Sequence, residues 1–177
     1  KILKPLENGT AKTKSEFSKN LIILDGNLSP SILSKIAENK NFMNYDVRIV
    51  SASPAKASRL QPFLSLSNTT IYCNKNEAEK LCKLAFKDTR QASTHLLKDG
   101  LRRAIVTDGA NPICDSKINH EPILISPPKV KCIRHVTGAG DYFLACHIAN
   151  EINQLKKENA LTQAAESAAN YVETEIK

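Results

Sequence analysis

The sequence TGAGD, residues Thr137–Asp141, is the most informative feature of the chain, and it stands directly before the helical pattern of residues 142–157. Gly138 and Gly140 allow a tight turn in which the backbone approaches a ligand closely. A helix that begins at this turn presents unpaired N–H groups and the positive end of its dipole, and both attract a phosphate. A carboxylate beside a phosphate makes chemical sense if Asp141 is a general base that takes a proton from an attacking hydroxyl. The structural alternative is that Asp141 serves as the N-cap of the helix.

Apolar runs and helical patterns alternate along the rest of the chain, which predicts an α/β fold with a mostly parallel sheet and helices on both faces. After four buried strands, a proline-rich stretch indicates short hairpin-like strands instead of a crossover helix. The predicted strands are 21–24, 47–51, 69–73, 104–107, 123–125 and 130–133, and the predicted helices are 29–37, 54–64, 76–86, 88–98, 139–157 and 160–174.

Polar clusters stand at or just beyond the ends of the predicted strands. Because ligands of parallel sheets bind outside the carboxyl ends of the strands, several clusters at one rim indicate a binding site. The four clusters are residues 25–27, 74–77, 107–109 and 137–141.

The composition is that of one soluble globular domain, with 41% apolar and 24% charged residues in a chain of 177 residues. No apolar stretch is long enough to span a membrane. The net charge of +7 is dispersed and only 5% of the residues are aromatic, so we expect a small polyanion such as a nucleotide as the ligand, and no nucleic-acid polymer. Five cysteines without a C-x-x-C pair, and no signal peptide in residues 1–20, indicate a reducing cytoplasmic location.

Three motifs together resemble the PfkB, or ribokinase-like, family of carbohydrate kinases. Thr137–Asp141 with Phe143 resembles the C-terminal signature of the family, Asn74–Glu77 resembles its N-x-x-E motif, and Thr107–Gly109 resembles its T-x-G nucleotide loop. The order and spacing of the three also agree with the family. The resemblance implies a ribokinase-like three-layer α/β/α sandwich, with ATP and Mg²⁺ as cofactors and a sugar or nucleoside as the substrate.

The resemblance extends from about Asn20 to Lys177 and covers only the C-terminal part of the family's domain. It implies that residues 1–177 are a single partial kinase domain that holds the nucleotide half, with residues 1–18 as a ragged or helical end. The N-terminal portion of the family supplies a β-sheet lid and most sugar contacts. We therefore expect this chain alone to be inactive, and a homodimer to require the lid that it lacks.

The resemblance also implies the roles of individual residues. Asp141 would be the general base, and the backbone N–H groups of Gly138, Ala139 and Gly140 would stabilise the charge on the transferring phosphoryl group. Asn74 and Glu77 would hold Mg²⁺ through water, and the structural alternative for them is an Asn turn with Glu in the first turn of a helix. The residues expected to contact the nucleotide are Asn74, Glu77, Thr107, Gly109, Thr137 and Asn27.

Within the family, the frame of Ser53, Lys56, Leu60, Asn74 and Glu77 resembles the pseudouridine kinase branch. This resemblance implies that pseudouridine is converted to pseudouridine 5′-phosphate. Some relatives of that branch are fused to a pseudouridine-phosphate glycosidase, so the resemblance also points to a fusion partner of that kind.

Two departures from the family leave alternatives open. His135 stands where the family commonly has an Asp that helps to bind a monovalent cation, so the resemblance gives no support to activation by such a cation. Pro112 stands where the T-x-G loop usually has a second glycine. The alternatives are a nucleotide-binding module without catalysis, and a PfkB kinase that acts on another nucleoside or sugar.

Overall fold

The six strands form one sheet in sequence order in the computed structural model, which describes residues 21–174. Strands β1 to β4 pair in parallel, and β5 and β6 return antiparallel. The strands are β1 (Leu21–Asp25), β2 (Asp46–Val50), β3 (Thr69–Asn74), β4 (Arg103–Asp108), β5 (Asn111–Lys117) and β6 (Ile123–Ile125). The helices are α1 (Pro30–Glu38), α2 (Lys75–Cys82), α3 (Thr89–Leu96), α4 (Ala139–Ile152) and α5 (Lys157–Glu173), with 3₁₀ helices at Lys40–Asn44 and Ala57–Phe63.

Helices cover both faces of the sheet, so the predicted three-layer α/β/α sandwich is confirmed. Successive residues of a strand point to opposite faces, and the buried residues of β3 divide accordingly. Ile71 belongs to the core under α1, α2 and α3, whereas Tyr72 belongs to the core under α4 and α5. The expected ragged or helical end at residues 1–18 lies outside the described residues.

The helix starts follow side-chain caps that the sequence contains. The Ser29 hydroxyl accepts a hydrogen bond from the backbone N–H of Ile32 at 3.4 Å, and the Asp88 carboxylate accepts one from the N–H of Gln91 at 2.8 Å. The helix ends are less predictable: α2 stops at Cys82 and not at residue 86, because Lys83 adopts a left-handed conformation with φ 53°.

Four further predicted elements differ in the structure. Pro62 lies inside the 3₁₀ helix Ala57–Phe63, where the sequence predicts a longer helix over 54–64. Helix α4 ends at Ile152 and α5 begins at Lys157, with Gln154 at φ 61° between them. The predicted strand 130–133 is wrong, because this segment bonds to the end of α5 and not to β6.

Candidate functional site

A cavity of about 340 Å³ opens at the carboxyl edge of the sheet, where three of the four predicted polar clusters meet. The end of β2, the junction of β3 with α2, the end of β4 and the start of α4 form its walls. The ends of β2, β3 and β4 meet here because the carboxyl ends of parallel strands share one edge. The start of α4 follows residues 126–138, which form no strand. The predicted site residues that line the cavity are Asn74, Glu77, Thr107, Thr137, Gly138, Gly140 and Asp141.

The glycine turn sets the direction of α4. Gly138 is the N-cap with φ +87°, and the N–H of Tyr142 donates to its carbonyl oxygen at 2.9 Å. Asp141 is therefore the third residue of the helix, so the structural alternative of an Asp141 N-cap is wrong. The N–H of Ala139 donates to the Val136 carbonyl at 3.2 Å, whereas Gly140 and Asp141 lie in the first turn, where helix geometry provides no acceptor for their N–H groups.

The carboxylate of Asp141 faces the cavity and is exposed to solvent. Its neighbour Tyr142 turns away and stacks on Tyr171 of α5, with the ring centroids 4.9 Å apart and the planes at 19°. The tyrosine therefore leaves the mouth of the cavity open, and the acid is accessible to a ligand.

Asn74 and Glu77 form a reciprocal capping box at the start of α2. The Asn74 side-chain oxygen accepts from the N–H of Glu77, and the Glu77 carboxylate accepts from the N–H of Asn74, both at 2.9 Å. Burial raises the pKa of Glu77 and the negative charge of Asp141 raises it further, against the lowering effect of the bond from Asn74. Two carboxylates thus face one cavity, and a bound cation would reduce the repulsion between their negative charges.

Ser51 is a cavity residue that the sequence analysis did not single out. It follows β2 directly, is 7% exposed, and its hydroxyl has no hydrogen-bond partner within residues 21–174. Its backbone N–H donates to the Tyr72 carbonyl at 2.9 Å, which fixes the residue against β3. The signal that could have found it is its position at the end of a buried strand.

Two predicted nucleotide contacts lie away from this cavity. Gly109 is exposed in the turn between β4 and β5, with φ +58°. The side-chain oxygen of Asn27 accepts from Lys56 Nζ at 2.5 Å, and its amide nitrogen donates to Asp25 at 3.3 Å. Neither residue is among those that line the cavity.

A buried charge network ties α4 to the sheet. Glu151 of α4 accepts from Arg48 of β2 at 2.5 Å and from Arg103 of β4 at 2.6 Å. Arg103 also forms a two-bonded pair with Asp115 of β5, at 2.7 and 2.5 Å. Burial alone would raise the pKa of Glu151, but its cationic neighbours, Arg103 foremost, outweigh burial and lower it.

His147 links this network to the cavity wall. Its ring is fully buried, its Nδ1 lies 2.9 Å from the Tyr72 hydroxyl, and it stacks on Phe143 at 5.9 Å. Tyr72 and Phe143 both line the cavity. Burial lowers the pKa of His147 to about 4, so the imidazole is neutral at pH 7 and its 4.0 Å approach to Glu151 is not an ion pair.

The buried imidazole predicts a loss of stability in mild acid. His147 titrates near pH 4 when folded and near its ordinary 6.5 when unfolded, so the unfolded chain binds more protons between these values. The free energy of unfolding should therefore fall by about 2 kcal/mol from pH 7 to pH 5. Urea unfolding at the two pH values measures it.

The matched control for this effect is the exposed His120. We expect His147→Asn to reduce the difference between pH 7 and pH 5, and His120→Asn to keep it. A His147→Asn protein with the full acid-induced loss of stability would contradict the assignment.

Comparisons with known proteins identify the family of the chain. Residues 8–175 match the pfkB family carbohydrate kinase model, and the chain therefore belongs to the PfkB family. The kinases of this family are phosphotransferases that act on carbohydrates or nucleosides. No curated protein matches the sequence significantly.

Solved structures give the same fold at low sequence identity. The chain is similar to a carbohydrate kinase from Agrobacterium tumefaciens (23% identity, TM-score 0.73, 97% of this chain and 52% of that one). It is also similar to Arabidopsis thaliana ribokinase complexed with ribose and ATP, with 20% identity, a TM-score of 0.73, and coverage of 87% of this chain and 50% of that one. A third match is adenosine kinase from Schistosoma mansoni in complex with 2-fluoroadenosine, with 19% identity, a TM-score of 0.72, and coverage of 88% of this chain and 51% of that one. The chain thus spans about half the length of these structures.

No helix within residues 21–174 is long and apolar enough to cross a membrane.

Proposed function

We propose that the complete polypeptide containing this chain transfers the γ-phosphoryl group of ATP to the primary hydroxyl of a sugar or nucleoside. One observation carries the proposal: an accessible carboxylate, Asp141, and the amides of a helix start face the same cavity as Asn74, Glu77 and Thr107. Membership of the PfkB family supports the same reaction class.

Asp141 accepts the proton of the attacking hydroxyl, and the first-turn N–H groups of α4 stabilise the phosphoryl group. Gly140 and Asp141 provide these amides, because the Ala139 amide is already bonded to Val136. Loss of one such donor costs about 3 kcal/mol of transition-state stabilisation in enzymes of other classes.

The cavity also fits Mg²⁺. Mg²⁺ keeps several waters and needs few protein ligands, so Glu77 and Asn74 would hold it through water. Glu77 fits because its carboxylate is largely buried and lies near the negative charge of Asp141, so a bound cation would stabilise its charged form. When bound, the ion neutralises phosphate charge during transfer. No activation by a monovalent cation is proposed.

Glu77→Gln separates the capping role of Glu77 from its metal role. Glutamine also serves in a capping box, so α2 should keep its stability to within about 0.5 kcal/mol. The carboxylate charge is lost, and we expect half-maximal activity to require roughly tenfold more Mg²⁺. Thermal unfolding and an Mg²⁺ titration of the activity measure the two effects.

The matched control is Glu79→Gln, two residues further along α2. The Glu79 carboxylate accepts a hydrogen bond from the Phe86 N–H, and the residue does not line the cavity. An unchanged Mg²⁺ requirement in Glu77→Gln would exclude a metal role for Glu77.

The proposed acceptor is pseudouridine. The support is the sequence frame of Ser53, Lys56 and Leu60 with the N-x-x-E motif. Lys56 directly precedes the 3₁₀ helix Ala57–Phe63, and its ammonium group donates to the side-chain oxygen of Asn27 at 2.5 Å.

Transfer of labelled phosphate from ATP by the complete polypeptide tests the proposal. Pseudouridine, adenosine, ribose and fructose phosphates are the acceptors to compare, and the isolated 177-residue chain is expected to be inactive. Highest turnover with pseudouridine supports the proposal. Highest turnover with another acceptor supports the kinase reaction but contradicts pseudouridine as the substrate. ATP binding without transfer to any acceptor would mean a nucleotide-binding module.

A further inference from the structure

The last turn of α5 holds the loop that leads into the glycine turn. The carbonyl oxygen of Val172 accepts from the N–H of Arg134 at 3.0 Å and from the N–H of His135 at 3.4 Å. The Glu173 carboxylate accepts from the N–H of Cys132 at 3.3 Å and also from the N–H of Lys131. This loop has no strand or helix of its own between β6 and α4, so the end of α5 satisfies its backbone.

Tyr171 extends this support to the glycine turn itself. Its hydroxyl donates to the Thr137 carbonyl at 3.1 Å. A Cβ on Gly138 would lie 2.8 Å from the same hydroxyl oxygen, so the tyrosine and the turn are in direct contact. The ring also stacks on Tyr142 and meets the edge of His135, with centroids 4.6 Å apart.

These contacts fix the turn from both sides. Thr137 and Gly138 precede the amides that face the cavity, and Tyr142 follows them in α4. The Thr137–Gly138 peptide determines the direction of the first turn of the helix, because Gly138 is the N-cap at φ +87°. A bond to the Thr137 carbonyl therefore controls where the Gly140 and Asp141 amides point.

We propose that Tyr171 is a positioning residue for phosphoryl transfer, which acts by holding the Thr137–Gly138 peptide so that the first turn of α4 faces the phosphoryl group. The inference rests on the proposed function for its catalytic consequence. It goes beyond that function because Tyr171 does not line the cavity and belongs to a different helix.

Tyr171→Phe removes the hydroxyl bond and keeps the ring, so it tests the hydroxyl alone. In the complete polypeptide we expect kcat to fall roughly tenfold with the KM for ATP unchanged, because misdirected amides weaken the transition state more than the ground state. We also expect faster hydrogen exchange at the amides of Ala139 and Tyr142, which donate to the Val136 and Gly138 carbonyls, with a melting temperature close to that of the unchanged protein.

Tyr142→Phe is the matched control, because it removes the other hydroxyl of the same stacked pair. Within residues 21–174 the Tyr142 hydroxyl makes no hydrogen bond, in contrast to that of Tyr171. This variant should leave both kcat and amide exchange unchanged. Unchanged exchange at the Ala139 and Tyr142 amides in Tyr171→Phe would overturn the inference, as would an equal effect of Tyr142→Phe. If the complete polypeptide transfers no phosphate, the proposed function fails, and the exchange rates alone decide whether Tyr171 positions the turn.

Discussion

Replacing Asp141 with asparagine is expected to lower kcat by at least about a hundredfold, while ATP still binds with nearly unchanged affinity. Asparagine has almost the same shape, but its amide cannot take a proton from the attacking hydroxyl. The side chain is exposed at the cavity, so its neutralisation should not destabilise the fold. Steady-state turnover in the complete polypeptide and a nucleotide-binding titration measure the two expectations.

The control for Asp141→Asn is Asp99→Asn, which neutralises an exposed acid in the segment between α3 and β4. This variant should keep full turnover, so a general effect of net charge is separated from the loss of the base. Near-normal turnover of Asp141→Asn would remove Asp141 from the proposed role and leave the helix start as an anion site without a base.

Gly138→Ala is expected to impair both folding and activity. The backbone at φ +87° costs an alanine about 1–2 kcal/mol, and the new Cβ would lie 2.8 Å from the Tyr171 hydroxyl oxygen. If the turn moves to relieve this contact, the amides of α4 lose their direction, and turnover should fall by about a hundredfold. Urea unfolding and turnover in the complete polypeptide measure the two losses.

Gly140→Ala provides the matched comparison within the same motif. A Cβ at Gly140 would meet no atom within 4 Å, and the residue lies inside α4, where alanine is favoured over glycine by about 0.5–1 kcal/mol. We expect this variant to be as stable as the unchanged protein or more so, and to bind ATP more weakly because the new methyl group faces the cavity. Equal stability of the Gly138→Ala protein and the unchanged protein would argue against strain at this turn.

The four parallel strands and most of the site could be predicted because they depend on local patterns, whereas β5 (Asn111–Lys117) was not predicted. The apolar run at residues 21–24 and the cap at Asp88 are visible in the sequence, and both elements form where expected. Burial of β1 on both faces is wrong, because Ile23 is 53% exposed. Asn74 and Thr107 are far apart in the chain, yet the rule that parallel strands share a carboxyl edge places them together at the ends of β3 and β4. Asp141 follows residues 126–138, which form no strand, so this rule does not place it.

The remaining features depend on contacts between distant parts of the chain. Residues 130–133 are apolar enough for a strand. However, backbone N–H groups of residues 132–135 donate to the Val172 carbonyl and the Glu173 carboxylate, about forty residues later, and no local pattern reveals this. The position of Asp141 as third residue of α4 depends on the left-handed conformation of Gly138. Ser51 carries no motif, because a serine after a strand is common in any loop.

The attachment of Glu151 to Arg48 and Arg103 has a consequence for motion in the complete polypeptide. The two arginines come from different strands, and Glu151 lies in the last turn of the helix that begins with the glycine turn. Tilting that helix would break two buried ion pairs, and each broken pair costs about 3–5 kcal/mol. We therefore expect the acid at its start to stay fixed relative to the strands, so that in the proposed reaction the acceptor hydroxyl would approach a stationary base.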